Sequence, residues 1–212
     1  MPKLAEVEFM QHGFQRPDGG NRMLSAQESM KDLQRKAGMD ARNRLDRKTI
    51  ATFSQIISKK LISSSFGNAK VMLSYQPFGN EVDVSTFNEW TISEGKTLAF
   101  PLCYEDGKMV AAVPGEVDGW EIGKYGIKTP IESRSTILNP ADIDLVIVPC
   151  TVFARARKIR CGMGVGYYDR YLPQCNKAIT IAVAFSVQQC DDLIADDWDF
   201  PLDSIVTEEA WY

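Results

Sequence analysis

The sequence is short of the residues that most often carry nucleophilic and metal chemistry. Its 212 residues include a single histidine, His12, and five cysteines that are far apart and form no C-x-x-C pair. This composition argues against a histidine-based triad, a His-ligated metal, a structural zinc site and a disulfide framework. Any chemistry must then depend on carboxylates, Lys and Arg, tyrosines, backbone amides and a cofactor.

Long apolar runs are also missing. No stretch of about 18 apolar residues occurs, so we expect no transmembrane helix and no membrane partner. Residues 1–24 lack the basic-then-apolar order of a signal peptide. We therefore expect a cytoplasmic protein, with residues 1–24 as a flexible N-terminal extension.

Charge is unevenly distributed along the chain, although the net charge is only −4. Residues 31–48 hold seven Lys or Arg against three aspartates, and residues 155–160 read "RARKIR", which we expect to form a basic loop. Residues 190–209 carry eight acids and no Lys or Arg. Two basic clusters and one acidic segment suit a polyanionic small molecule with a hard cation, and the acidic balance disfavours nucleic acid.

The order of apolar and polar segments predicts the fold. An S-x-x-E capping box at residues 25–28 predicts a helix that continues to about 45, and a second helix follows over 49–63. Short apolar runs bounded by Pro and Gly predict strands at 70–75, 97–102, 109–114, 144–149, 178–185 and 204–207. Helical segments lie between several of them, at 82–94, 167–172 and 187–195.

Two of these runs, "LVIV" and "ITIAVAF", do not alternate, which indicates strands buried on both faces. Residues 25–212 are therefore predicted to form a single three-layer α/β domain, a largely parallel sheet with helices on both faces. In such sheets ligands bind beyond the carboxyl ends of the strands.

The segment "CGMGVGYYDRYL", residues 161–172, has three glycines at alternate positions. It fits neither the G-x-G-x-x-G dinucleotide fingerprint nor a P-loop. Alternate glycines still allow successive amides to form an anion-binding nest, to which Arg160 and Arg170 can add charge-assisted contacts. The residues alone leave two alternatives open, a phosphate-binding loop and a tight structural turn.

The same segment, with Arg160 before it, resembles the signature R-L-G-x-G-x-G-Y-Y-D-R-[FY]-L of the 5-formyltetrahydrofolate cyclo-ligase (methenyltetrahydrofolate synthetase) family. Further family markers occur in order between residues 31 and 209. A basic helix pattern is kept by Lys31, Arg35 and Arg42, with Gln34 replacing the family's leucine. Later markers are "LSYQPFGNEVD", "GKTLAFP", "YGIKTP", "VIVPCTVF" and "DFPLDSIVTEE".

This resemblance implies an ATP- and Mg²⁺-dependent ring closure. 5-Formyltetrahydrofolate would become 5,10-methenyltetrahydrofolate, with release of ADP and phosphate. Phosphorylation of the formyl oxygen would make it a leaving group, and N10 of the folate would then attack the activated carbon. Phosphoryl transfer needs mainly positioning and charge neutralisation, which a core without histidine can supply.

The resemblance also implies roles for individual residues. Catalysis would involve Arg160, Tyr167 and Asp169. ATP would be bound by Lys31, Arg35, Arg160, Gly162, Met163, Gly164, Val165, Gly166, Tyr167 and Tyr168. Folate would be contacted by Glu81, Tyr125 and Tyr168, and Mg²⁺ would be held by Asp169 and Asp203.

The chain departs from the family pattern at Met163 and Val165, where relatives often carry polar or basic residues. An alternative is therefore a paralogue that binds folate or nucleotide without catalysis. An RNA-binding module is disfavoured by the acidic composition and the lack of an aromatic platform. We expect 5-formyltetrahydrofolate and ATP as ligands of a monomer or weak homo-oligomer.

Overall fold

The computed structural model describes residues 26–123 and 126–212. The predicted extension at 1–24, the start of the capping box at Ser25 and the candidate folate contact Tyr125 lie outside these residues. The α-helices described are α1 (Ala26–Asn43), α2 (Arg47–Ser63), α3 (Ser85–Ser93) and α4 (Tyr167–Tyr171). The strands are β1 (Val71–Leu73), β2 (Thr97–Cys103), β3 (Met109–Pro114), β4 (Trp120–Ile122), β5 (Lys128–Pro130), β6 (Ser135–Ile137), β7 (Leu145–Pro149), β8 (Val152–Ala154), β9 (Ile159–Cys161), β10 (Ile179–Val183) and β11 (Ser204–Val206).

Seven strands form the central sheet in the order β11-β10-β7-β1-β2-β3-β6. The five strands from β11 to β2 are parallel to their neighbours, whereas β3 is antiparallel to both β2 and β6. Two small hairpins, β4–β5 and β8–β9, lie outside this sheet. The sheet is therefore largely parallel, as the sequence predicts.

Each central strand is buried on both faces. In β1, Met72 packs into a core that includes Ile57 of α2 and Phe87 of α3. The next residue, Leu73, packs into a second core that includes Tyr171 of α4. Strands β7 and β10 alternate between the same two cores. Helices cover both faces, which confirms the predicted α/β architecture.

Helix α1 lies unusually close to the segment that enters β8. A Cβ atom at Gly38 would lie 2.3 Å from the carbonyl oxygen of Thr151, a distance that no side chain tolerates. Glycine at this position therefore permits the contact. Lys31 and Arg35 lie about two turns and one turn earlier on the same helix.

Two sequence predictions are wrong in detail. The segment 187–195 is not an α-helix: a 3₁₀ turn at Ser186–Gln188 is followed by irregular chain. The side-chain amide of Gln34 on α1 donates to the carbonyl of Asp192 and accepts from the amide of Ile194, each at 2.9 Å, which satisfies backbone groups that a helix would use internally. The "RARKIR" stretch is not an open loop but the turn and second strand of the β8–β9 hairpin.

The strand order places a ligand crevice at a defined position. From β1 the chain crosses to β2 on one side of the sheet, and it later returns to β7 on the other side of β1. The order of the strands thus reverses between β1 and β7, which is where open parallel sheets bind ligands beyond their carboxyl ends. Among the helices described, none has the length and apolarity needed to cross a bilayer.

Candidate active site

A cavity of about 680 Å³ lies at this switch point. Its lining comes from α1, the loop after β1, the end of β7, the glycine loop with α4, and an acidic segment at residues 196–199. The cavity therefore brings together sequence segments that are more than 100 positions apart.

The glycine loop adopts the backbone conformation that its sequence allows. Gly164 and Gly166 have φ of 98° and 76°, in the range that favours glycine. Arg35 holds the loop from α1, since its Nε donates to the carbonyl of Gly162 at 2.8 Å. The guanidinium also pairs with Asp32, one turn earlier on the same helix. The loop is thus fixed between α1 and the start of α4.

Lys31 is buried at the cavity wall and paired with two aspartates. Its Nζ lies 2.7 Å from Asp196 Oδ2 and 2.6 Å from Asp199 Oδ2. Burial alone would lower the pKa of Lys31, but the two hydrogen bonds outweigh it and the pKa is raised. Lys31 is therefore a fixed cation whose charge is balanced by the acidic segment.

Arg160 and Asp169 form a second buried ion pair. Arg160 is 2% exposed, and its Nη1 lies 2.6 Å from Asp169 Oδ1. The same carboxylate oxygen accepts the amide of Phe200 at 3.2 Å. The Nε of Arg160 is buried and has no hydrogen-bond partner among the described residues, although buried polar groups normally have one.

The structure does not bring Asp203 to Asp169. Asp203 is exposed, precedes β11 and accepts the amide and the hydroxyl of Thr180, each at 2.8 Å. Thr180 lies near the start of β10, so Asp203 sits at the amino edge of the parallel strands, opposite the cavity. This placement argues against the predicted metal role of Asp203, because a residue just before a parallel strand lies at the wrong edge.

Other acidic side chains from the segment before Asp203 do line the cavity. Asp196 and Asp199 line the cavity, and the backbone amide of Phe200, next to Asp199, donates a hydrogen bond to Asp169. Across residues 26–123 and 126–212, no group of three or more His, Cys, Asp or Glu side chains is placed to hold a metal ion. Mg²⁺ commonly takes one or two carboxylates and completes its shell with phosphate oxygens and water, so Asp169 and Asp199 fit such a site.

Glu81 faces the cavity from the loop after β1. Its Oε2 accepts the amide of Phe78 at 3.0 Å, and Asn80 donates to Asn43 of α1 at 3.2 Å, which ties this loop to the helix. Burial raises the pKa of Glu81, while the nearby Arg42 guanidinium and the Phe78 amide oppose the shift. Glu81 is thus a partly buried acceptor held in one orientation.

Tyr168 and two cysteines add neutral groups to the cavity wall. The hydroxyl of Tyr168 is buried without a partner among the described residues, and burial raises its pKa well above 10, so it remains a donor. Burial raises the pKa of Cys150 to about 12 and that of Cys161 to about 11. Neither thiol ionises at neutral pH, which argues against cysteine nucleophiles here.

The structure brings most of the residues predicted for the site into one cavity, together with others that the sequence analysis does not name. Lys31, Arg35, Glu81, Arg160, the glycine loop, Tyr167, Tyr168 and Asp169 all line the cavity. Asp196, Trp198 and Asp199 were missed, although the run of acids around them was noted. Trp198 stands at the cavity with 69% of its surface exposed. The signal available in the sequence was an acidic cluster opposite a basic helix.

Comparison with known proteins shows the family of the chain. The profile of the 5-formyltetrahydrofolate cyclo-ligase family matches residues 27–208. The chain is 38% identical over 100 residues to a 5-formyltetrahydrofolate cyclo-ligase of Mycoplasma genitalium, covering 47% of this chain and 56% of that relative. The chain thus spans about half the length of the curated mycoplasma relatives that it matches.

Two solved structures are similar to the whole fold. The solution structure of 5,10-methenyltetrahydrofolate synthetase from Aquifex aeolicus is 30% identical with a TM-score of 0.75, covering 86% of this chain and 91% of that one. The 5,10-methenyltetrahydrofolate synthetase of Mycoplasma pneumoniae is 27% identical with a TM-score of 0.68, covering 84% of this chain and 98% of that one. Since the family profile spans most of the described residues, the chain belongs to the 5-formyltetrahydrofolate cyclo-ligase family of ligases.

Proposed function

We propose that this chain catalyses the ATP- and Mg²⁺-dependent cyclisation of 5-formyltetrahydrofolate to 5,10-methenyltetrahydrofolate, with release of ADP and phosphate. One observation carries the proposal: the basic glycine-loop region and the Glu81 loop line the same cavity. A triphosphate held by the first and a pterin held by the second would meet there. ATP would supply the phosphoryl group that activates the formyl oxygen, and Mg²⁺ would screen the phosphate charge.

The nucleotide side of the proposal rests on the three cations and the glycine loop. Lys31, Arg35 and Arg160 surround the loop, and each is already paired with a carboxylate. Unpaired buried cations are costly, so these pairs keep the site stable before ligand binds. Phosphate oxygens would then share or replace the carboxylates, and Gly164 and Gly166 would turn loop amides toward them.

The metal would be held by Asp169 together with Asp199 instead of Asp203. Asp169 is fixed by Arg160 and by the Phe200 amide, which leaves its second oxygen outside these two bonds. Asp199 is positioned by Lys31, whose Nζ lies 2.6 Å from its Oδ2. The two residues would supply a carboxylate pair beside the phosphates.

The folate side rests on Glu81 and Tyr168. A carboxylate acceptor suits the ring N–H and amino groups of a pterin, and the Tyr168 hydroxyl is a donor without a partner among the described residues. Tyr125 stays a predicted folate contact. Exclusion of water from such a partly buried site would protect an activated formyl group from hydrolysis.

The apolar residues Met163 and Val165 also line the cavity, where relatives often place charge. Neighbouring Arg35 and Arg160 would supply the positive charge that these positions lack. We also propose that the protein is a cytoplasmic enzyme and a monomer or weak homo-oligomer. Its proposed ligands are 5-formyltetrahydrofolate and ATP, and not nucleic acid.

The proposal is tested by incubating the purified protein with 5-formyltetrahydrofolate, ATP and Mg²⁺. The expected result is growth of the methenyl absorbance band only when all three are present. Binding of folate and ATP without product would instead support a non-catalytic paralogue. A matched Asp169→Asn variant is expected to lose Mg²⁺-dependent turnover more than folate affinity.

A further inference from the structure

The side chain of Arg170 joins the glycine loop to the turn between β2 and β3. Its Nη2 donates to the carbonyl of Val165 at 2.9 Å and to that of Gly107 at 2.7 Å. Its Nε also donates to Gly107 at 3.1 Å. The sequence suggested that Arg170 contacts phosphate, but these donors are used on backbone carbonyls of the protein.

Two glycines make room for this guanidinium. A Cβ at Gly107 would lie 2.6 Å from Arg170 Nη2, and one at Gly166 would lie 2.9 Å from Nη1. Real Cβ atoms do not approach other atoms so closely. Both glycines also have positive φ, 82° and 76°. The guanidinium therefore occupies the space that a Cβ at either glycine would take.

Tyr167 adds a second connection between the same segments. Its hydroxyl donates to the carbonyl of Tyr104 at 3.0 Å, and its ring lies 5.9 Å from the Arg170 guanidinium carbon. The β2–β3 turn is itself closed, since Gly107 donates to Tyr104 at 3.1 Å. The glycine loop is thus anchored to a hydrogen-bonded turn that belongs to the central sheet.

We propose that Arg170 is a positioning residue that fixes the glycine loop for the triphosphate. We call Arg170 with the carbonyls of Gly107 and Val165 the Arg170 clamp. By holding the Val165 carbonyl against the turn, the clamp keeps Gly164 and Gly166 in the positive-φ conformation that an anion-binding nest needs. This inference rests on the proposed function for its consequence on ATP, but the clamp itself can be measured without nucleotide.

The clamp can be removed without damaging the core. Arg170 is exposed, so its truncation leaves no buried cavity, and exposed polar contacts contribute little to global stability. Arg170→Gln removes the guanidinium that donates to both carbonyls. Arg170→Lys keeps the positive charge, but its single ammonium group cannot bridge the two carbonyls as the planar guanidinium does. Arg44→Gln is the matched control, since Arg44 is an exposed arginine at the end of α1 outside the cavity lining.

The first arm of the experiment is hydrogen exchange of the free protein. Amides of residues 162–168 are expected to exchange on the order of tenfold faster in Arg170→Gln, with the central strands unchanged. Arg170→Lys should lie between that variant and the wild type, and Arg44→Gln should match the wild type. Unchanged exchange of the loop in Arg170→Gln would overturn the proposal.

The second arm measures ATP kinetics. Arg170→Gln is expected to raise the KM for ATP by about 10- to 100-fold while kcat and the KM for folate change much less. Faster loop exchange with an unchanged KM for ATP would overturn the positioning role. A wild-type protein that makes no methenyl product would refute the proposed function, whereas the exchange arm would still decide whether the clamp exists.

Discussion

Gly164 offers the sharpest test of the glycine loop, because its neighbour Gly162 provides a matched control. Gly164 has φ of 98°, whereas the φ of Gly162 lies outside the positive range. A Cβ at Gly164 would lie 3.6 Å from the Arg35 guanidinium carbon, an ordinary contact, and a Cβ at Gly162 would meet nothing within 4 Å. The two Gly→Ala substitutions therefore differ in backbone strain and not in steric clash.

The expected difference follows from that strain. A non-glycine residue held at positive φ costs about 1–3 kcal/mol, of which Gly→Ala recovers about 0.4–1 kcal/mol by restricting the unfolded chain. Gly164→Ala should thus lower the free energy of unfolding by about 1–2 kcal/mol, a fall in Tm of roughly 2–8 °C for a chain of this size. Gly162→Ala should be neutral or stabilising by about 0.4–1 kcal/mol.

Urea unfolding and ATP titration of both variants provide the assay. Gly164→Ala is expected to weaken ATP binding as well, because relaxation of the strain turns the loop amides away from the phosphate. Equal unfolding free energies for the two variants, or full ATP affinity in Gly164→Ala, would refute the reasoning that this loop is a strained anion-binding nest.

Three further predictions test the remaining parts of the site. Asp199→Asn should weaken the Mg²⁺ dependence of ATP turnover in a metal titration, whereas Asp203→Asn should leave it unchanged; the opposite result would restore Asp203 as the ligand. Burial raises the pKa of Glu81, so the folded state binds this proton more tightly and wild-type stability falls as pH rises from below 4.5 through the raised pKa. Glu81→Gln should flatten that pH profile and weaken folate binding, and an unaltered profile would contradict the assigned burial. Arg160→Met leaves Asp169 without its buried partner and should lower the unfolding free energy by about 3–5 kcal/mol, part of which the double variant with Asp169→Asn should restore.

The parallel core of the fold was predictable because its signals are local. Uninterrupted apolar runs such as "LVIV" occur only where a strand is covered on both faces, and β7 lies there with α2 and α4 on opposite sides. The short strands of the β8–β9 hairpin were not predictable in the same way. Each strand has only three residues, the turn between them is basic, and their partners are each other, so no apolar period marks them.

The sequence predicts a site residue most clearly where its residue type has a single physical explanation at that position. Alternate glycines permit the positive φ of Gly164 and Gly166, and helical spacing places Lys31 on the same face of α1 as Arg35, which contacts the loop. The acidic segment was harder to place, because several aspartates near Asp199 are equivalent on the sequence alone. Only the topology separates Asp199 at the carboxyl edge from Asp203 at the amino edge.

The non-helical course of residues 187–195 shows a different limit. Local propensity favours a helix there. However, the side-chain amide of Gln34 on α1 forms hydrogen bonds with the carbonyl of Asp192 and the amide of Ile194, and Leu193 packs against the β8–β9 hairpin. Contacts with a residue about 160 positions away override the local preference. Such an override becomes visible only when the tertiary structure is known.

The central claim is that one cavity joins ATP to a formyl folate, and a single-turnover reaction tests it most directly. Enzyme in excess is mixed with 5-formyltetrahydrofolate, ATP and Mg²⁺, and both methenyl absorbance and ADP are followed. The account predicts about one ADP for each methenyl product, and no product when ATP or Mg²⁺ is left out. Tight binding of both ligands with neither ADP nor methenyl product would contradict it.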